Sequence, residues 1–126
     1  MINVTCAIIE HNEKIVVVQR SEFMNLPLKW EFPGGKIENN ETEEACIKRE
    51  IKEELNIEIE LISRLSPVTY KYPSFEIKLI PFIAKYINGE INLSEHKQFD
   101  WLTKDRLNNL DWAEADIAIL KEYQSL

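Results

Sequence analysis

The chain has 126 residues, 44% of them hydrophobic, and a formal charge of −7 at pH 7. That length suits one domain with its own core over residues 1–126, and no shift in composition marks a linker or a second unit. The acidic balance argues against a nucleic-acid polymer as partner, because such binding needs clustered Lys and Arg to displace counterions; any phosphate contact then calls for a metal.

In chain order, Met1-Ile2-Asn3-Val4 carries neither the basic region nor the apolar core of a leader. No run approaches the roughly 18 apolar residues of a membrane span, so the expected setting is cytoplasmic, with no membrane partner. Ile2 to Ile9 alternates, His11-Asn12-Glu13 turns, and Lys14 to Gln19 holds the β-branched run Ile15-Val16-Val17-Val18, which predicts a hairpin. Ser21 to Trp30 reads as a loop. Glu31-Phe32-Pro33-Gly34-Gly35 reads as a short strand and a turn, its paired glycines permitting positive φ and close backbone approach.

Ala45 to Leu55 is a helical run. At about 100° per residue, Ile47, Ile51 and Leu55 form an apolar stripe, while Glu50, Glu53 and Glu54 fill the arc beside it. Carboxylates at these spacings repel by roughly 0.2–0.5 kcal/mol per pair, a cost that a hard cation such as Mg2+, Mn2+ or Ca2+ would offset. Arg49 adds a planar fork able to hold a carboxylate bidentately.

Beyond the helix, Ile57 to Leu65 predicts a strand, and Val68 to Tyr72 with Phe75 to Tyr86 predicts a second hairpin about Pro73-Ser74. Pro81 suggests an edge or a bulge, Asn88-Gly89 a tight turn, and Phe99 to Leu102 another short strand. Thr103 is placed to cap a brief helix, and a last helix reaches about Tyr123. Cys6 and Cys46, on an apolar strand and a helix, read as buried free thiols. His11 and His96 read as surface residues, since neither has other nitrogen or sulfur ligands at a metal spacing.

Gly35, Glu41 and Arg49-Glu50-Ile51-Lys52-Glu53-Glu54-Leu55-Asn56-Ile57 form one long gapped string. It resembles the Nudix box, whose pattern is Gly, five residues, Glu, seven residues, Arg-Glu-aliphatic-any-Glu-Glu-any-Gly-aliphatic. Every fixed position matches except the last glycine, where Asn56 stands; Asn tolerates a left-handed helix end best among the non-glycine residues, so the turn should survive. Leu28 to Glu38 is similar to the MutT branch, which hydrolyses nucleoside triphosphates to a monophosphate and pyrophosphate.

The resemblance implies an α+β Nudix fold, a mixed β-sheet sandwiched between helices. It implies a Mg2+ cofactor, with Mn2+ as a substitute, held by Glu50, Glu53 and Glu54, with the Gly35 carbonyl as a further ligand. Arg49 and Glu41 match the positions that orient these glutamates and close the loop-helix-loop. Glu95 matches a loop glutamate that approaches the metals, acting as ligand or base; the alternative is a plain loop carboxylate. Arg20 and Asp116 match positions near the base, and Phe32 could contribute a ring beside it. Against those roles, Arg20 also reads as an exposed strand-end charge and Asp116 as a helix cap, for which Asp111 with Glu114 competes.

The implied chemistry is attack of water on the β-phosphorus, with a glutamate taking the proton. An ionised Asp116 accepts hydrogen bonds only, which favours the donor-rich edges of guanine-type or cytosine-type bases. The leading expectation is therefore a monomeric sanitiser of 8-oxo-dGTP acting on a small-molecule nucleotide. The alternatives are a CTP and dCTP pyrophosphohydrolase, a Nudix hydrolase of ADP-ribose or a nucleotide sugar, and a non-catalytic binding module, which would be expected to lose box glutamates.

Overall fold

A computed structural model describes residues 1–126. The first hairpin joins β1 (Ile2–His11) to β2 (Lys14–Gln19). Its turn is Asn12-Glu13, both at positive φ (51° and 65°), the backbone that matches the right-handed twist of paired strands. Next come β3 (Trp30–Glu31), β4 (Gly34–Lys36), α1 (Glu43–Leu55), β5 (Glu58–Arg64), β6 (Val68–Lys71), β7 (Glu76–Asn88) and β8 (Gln98–Thr103). A 3-10 turn over Lys104–Asn109 leads into α2 (Glu114–Gln124).

The sheet is mixed. β1 runs parallel to β7 from the Ile2–Ile77 pair to the Glu10–Lys85 pair, and every other pairing is antiparallel. Alternation along β1 sends Cys6 and Ile8 to one face, where they pack with Trp112, Ile119 and Tyr123 from the α2 side. Ala7 and Ile9 go to the other face, against Ile47, Ile51 and Leu55 of α1. The predicted apolar stripe of the box helix is thus the buried stripe, and the sandwich of helices about a mixed sheet is observed. Cys6 and Cys46 are buried free thiols on opposite faces of the sheet.

Several local expectations change. Gly34-Gly35 is no turn: both residues lie in β4, paired with Cys6 and Thr5, and neither has positive φ. Small size is what the site demands of them. A Cβ on Gly34 would stand 2.0 Å from the Thr5 carbonyl oxygen. The box helix begins at Glu43, with Thr42 as its cap accepting from the Ala45 N–H at 3.1 Å and two acids in the first turn, where the helix dipole favours them.

Pro81 lies in the interior of β7, with β1 on one side. On the other side β6 pairs up to Leu79 and β5 from Phe82, so the missing N–H falls in the gap between two partners, and the Pro81 carbonyl accepts from Leu65 N–H at 3.0 Å. Asn88-Gly89 ends β7 without starting a hairpin; Gly89 (φ 108°) passes so close to the end of α1 that a Cβ would meet the Asn56 oxygen at 2.8 Å. Thr103 occupies a cap position, but its side chain makes no capping bond. No helix is long and apolar enough to cross a membrane.

Candidate active site

The box helix and the segment before it are locked by one arginine. Arg49 donates from Nε to Glu41 Oε2 at 2.6 Å and from Nη2 to Glu41 Oε1 at 2.9 Å, a bidentate fork. The same guanidinium reaches the Lys36 carbonyl at 3.1 Å, Glu50 Oε1 at 2.8 Å and Glu53 Oε2 at 3.1 Å. Glu41 Oε1 also accepts from the Glu38 N–H at 3.0 Å, closing the loop between β4 and α1. Hydrogen bonds from Arg49 hold the Glu41 carboxyl down at about 2, and the Arg49 pKa is raised in return. One guanidinium thus joins Glu41, Glu50 and Glu53.

The three box glutamates occupy different settings. Glu53 is exposed, whereas Glu50 and Glu54 are half-buried. Burial raises Glu50 against the pull of Arg49. Burial, followed by the charges of Glu31 and Glu50, pushes Glu54 up to about 9. Glu54 Oε2 is buried without a hydrogen-bond partner. Gly35 lies against this group: its carbonyl accepts from Thr5 Oγ1 at 3.2 Å, and a Cβ on it would collide with the Glu50 carboxylate.

As they stand, no three His, Cys, Asp or Glu side chains are gathered to hold a metal ion; Arg49 Nη1 instead engages both Glu50 and Glu53. The donor chemistry nonetheless fits a hard divalent cation. The nearby groups are carboxylate and carbonyl oxygens, and one buried carboxylate oxygen lacks any partner, a costly condition that a cation would relieve.

Next to Glu54 opens a cavity of about 430 Å³ whose walls include Gly35, Arg20, Glu31, Phe32, Cys6 and Asp116, within the size range of nucleotide-sized ligands. The structure therefore brings the three residues expected beside a base to one cavity with Glu54. Arg20 is not an exposed strand-end charge. Its side chain is 19% exposed, with Nη1 on Glu31 Oε1 at 3.0 Å and Nε on the Asn25 carbonyl at 2.5 Å.

The Phe32 ring is buried, tilted against Trp112 at 4.8 Å. Asp116 is not the cap of α2: Ala113 holds that position, and Asp111 instead pairs with Lys29 at 2.9 Å. Asp116 is buried and its Oδ2 accepts the Phe32 N–H at 3.0 Å. Burial and then the Glu31 charge push its carboxyl well above the usual range. That direction favours the protonated form of a carboxyl that the sequence reading takes as ionised and accept-only.

Glu95 is exposed on the loop 89–97, makes no side-chain hydrogen bond, and lies near enough to Glu54 to contribute to its raised pKa. Two further residues join the site without having been expected there. Glu31 sits between Arg20 and His96, and His96 is buried rather than on the surface, with Nε2 2.8 Å from Glu31 Oε2. That pairing is what allows an imidazole to be buried. The signal for Glu31 was a charge inside the apolar string Trp30-Glu31-Phe32; nothing local marks His96. His11 is exposed, as expected, and packs against Tyr86 at 4.6 Å.

Residues 1–123 match the NUDIX domain family. The chain is 30% identical over 126 residues to a CTP pyrophosphohydrolase of Escherichia coli K12, covering 100% of this chain and 93% of that one. It is 30% identical over 115 residues to the 8-oxo-dGTP diphosphatase of the same organism, covering 91% and 89%. Among solved structures, the DNA mismatch repair protein MutT, a Nudix hydrolase from methicillin-resistant Staphylococcus aureus 252, is similar at 39% identity and a TM-score of 0.79, covering 98% of this chain and 95% of that one.

Proposed function

Because the chain belongs to the Nudix hydrolase family, we propose that it hydrolyses nucleoside triphosphates to a monophosphate and pyrophosphate, with 8-oxo-dGTP as substrate in a nucleotide-sanitising role. One observation carries the reading: the unpartnered Glu54 oxygen stands at the wall of the same cavity that Arg20, Phe32 and Asp116 line. One box carboxylate and groups suited to a base therefore share one space.

Nudix hydrolases generally need a divalent metal ion such as Mg2+. Glu50, Glu53, Glu54 and the Gly35 carbonyl would hold it, with Glu95 from the facing loop. When bound, such an ion neutralises triphosphate charge and acidifies a water. The protein's own residues do the rest. Arg49 fixes Glu50 and Glu53 in place, and Glu41 fixes Arg49. Glu53, which is exposed, or Glu95 accepts the proton of the attacking water. Arg20 is held by Glu31 beside the nucleoside, Phe32, Phe75 and Leu79 give the cavity an apolar wall, and Asp116 contributes one polar group toward the base edge. Water attacks the β-phosphorus and the nucleoside monophosphate leaves.

A cytosine triphosphate is the second reading, favoured by the match to a CTP pyrophosphohydrolase over the entire chain and by an Asp116 carboxyl able to meet either base. Purified protein with Mg2+ against canonical, oxidised and methylated nucleoside triphosphates, ADP-ribose and nucleotide sugars separates these readings, with pyrophosphate read apart from phosphate. The expected result is pyrophosphate and monophosphate, fastest from oxidised guanine or from cytosine nucleotides. Faster cleavage of ADP-ribose or a nucleotide sugar would overturn the proposal.

A further inference from the structure

Glu95 has no side-chain hydrogen bond, and its loop, residues 89–97, has no regular structure of its own. Ordering such a segment costs backbone entropy, so anchors must hold it. Three are backbone bonds: Asn92 N–H to the Leu55 carbonyl at 3.0 Å, Ser94 N–H to the Glu54 carbonyl at 3.2 Å, and Lys97 N–H to the Gln19 carbonyl at 2.9 Å. The side chain next to Glu95 supplies another. His96, its side chain 2% exposed, meets Glu31 Oε2 at 2.8 Å across 65 residues of sequence, and Glu31 binds Arg20.

Glu95 is thus flanked by Ser94, tied to the box helix, and by His96, tied to the strand that bears the partner of Arg20. We propose that His96 is a positioning residue: its bond to Glu31 fixes the loop that carries Glu95 beside Glu54, joining the nucleoside side of the cavity to its carboxylate side. The burial of His96 Nδ1 without a partner agrees with this. A ring placed only for packing would be better served by an apolar side chain, whereas one placed to hold Glu31 tolerates the unmatched nitrogen. The catalytic part of the proposal rests on the hydrolysis proposed above; the anchoring part does not.

The test uses His96→Leu, His96→Gln, Glu95→Gln and the Leu/Gln double variant, with two readouts. In the ligand-free protein, His96→Leu should raise hydrogen exchange at the Ser94 and Lys97 amides by about tenfold or more while leaving α1 protected. With the best triphosphate of the substrate panel, it should lower kcat by roughly tenfold to a hundredfold and move KM less, as expected of a misplaced group. His96→Gln, whose amide can still reach Glu31, should restore most of both. In the His96→Leu background, Glu95→Gln should add little.

Unchanged exchange at Ser94 and Lys97, losses that multiply in the double variant, or a Glu95→Gln that has no effect alone would each overturn the proposal. Should His96→Leu fail to fold, His96→Asn, polar but too short for Glu31, is expected to show the same exchange and kcat losses, and their absence would overturn it equally. A wild-type protein inert toward every triphosphate would sink the hydrolysis reading, and exchange alone would then decide the anchor.

Discussion

A β-carbon on Gly35 would stand 2.2 Å from the carboxyl carbon of Glu50. The obstructed group is the end of a side chain that can swing away, so Gly35→Ala should cost little stability, less than about 1 kcal/mol, while displacing Glu50 from Arg49 and lowering turnover. Gly34 faces a different obstacle. Its Cβ would meet the backbone of Thr5 and Cys6 at 2.0 and 2.6 Å, which cannot yield without breaking the pairing of β4 with β1. Gly34→Ala should therefore destabilise by about 3 kcal/mol or more. Thermal melts beside kcat check the contrast; equal stability of the two variants would contradict it.

The same pair of glycines marks where sequence reading stops. Two adjacent glycines signal a turn locally, yet here they are strand residues kept small by Thr5 and Glu50, both distant in sequence. The box helix was legible because its evidence is local: the stripe of Ile47, Ile51 and Leu55, the acids beside it, and the Asn56 end. Its start was missed by two residues, although Thr42 followed by two glutamates is a capping signal. No local spacing marks Arg20, Phe32 and Asp116 as neighbours about one cavity, and Arg20 and Asp116 are singled out only through family resemblance. The Glu31–His96 bond was not legible at all, since no periodicity or spacing relates positions 31 and 96, and a lone histidine in a polar loop reads as solvated until the fold buries it.

Asn56 ends α1 at φ 61° and ψ 32°, with its N–H on the Lys52 carbonyl at 3.0 Å. This is the left-handed cap that glycine fills in the family pattern. Asn56→Gly should be neutral or mildly stabilising, and Asn56→Val should destabilise by roughly 1–2 kcal/mol through the steric cost of that region. Urea denaturation of the two variants compares them directly, and Val as stable as Gly would contradict the cap.

Glu54 predicts a pH dependence of stability. Its folded carboxyl lies at about 9 against an ordinary value of 4.5. Between those values the metal-free folded state keeps a proton that the unfolded chain has lost, so this group's contribution is fully present below about 4.5 and is lost as pH rises through about 9. Glu54→Gln carries no such proton, and the stability of wild type relative to it should fall with pH across that window, by up to one proton's slope. Saturating Mg2+ should flatten the fall. Denaturation curves at a series of pH values would contradict the prediction if the two proteins stayed parallel.

Asp116 is expected to work as a neutral acid. Asp116→Asn keeps an oxygen for the Phe32 N–H and should retain both stability and base preference. Asp116→Ala leaves that buried N–H unmatched, costing about 1–3 kcal/mol, and should lose discrimination among bases. The full substrate panel run on both variants decides, and an Asn variant as indiscriminate as the Ala variant would show that an ionised carboxylate is required.

Water is expected to reach an internal phosphorus of a nucleoside triphosphate at the Glu54 end of this cavity. Hydrolysis of the best substrate in ¹⁸O-labelled water, with the products resolved by mass, tests it most directly. The expected products are pyrophosphate with one labelled oxygen and an unlabelled nucleoside monophosphate, with no inorganic phosphate. Label in the monophosphate, or release of labelled inorganic phosphate, would contradict it.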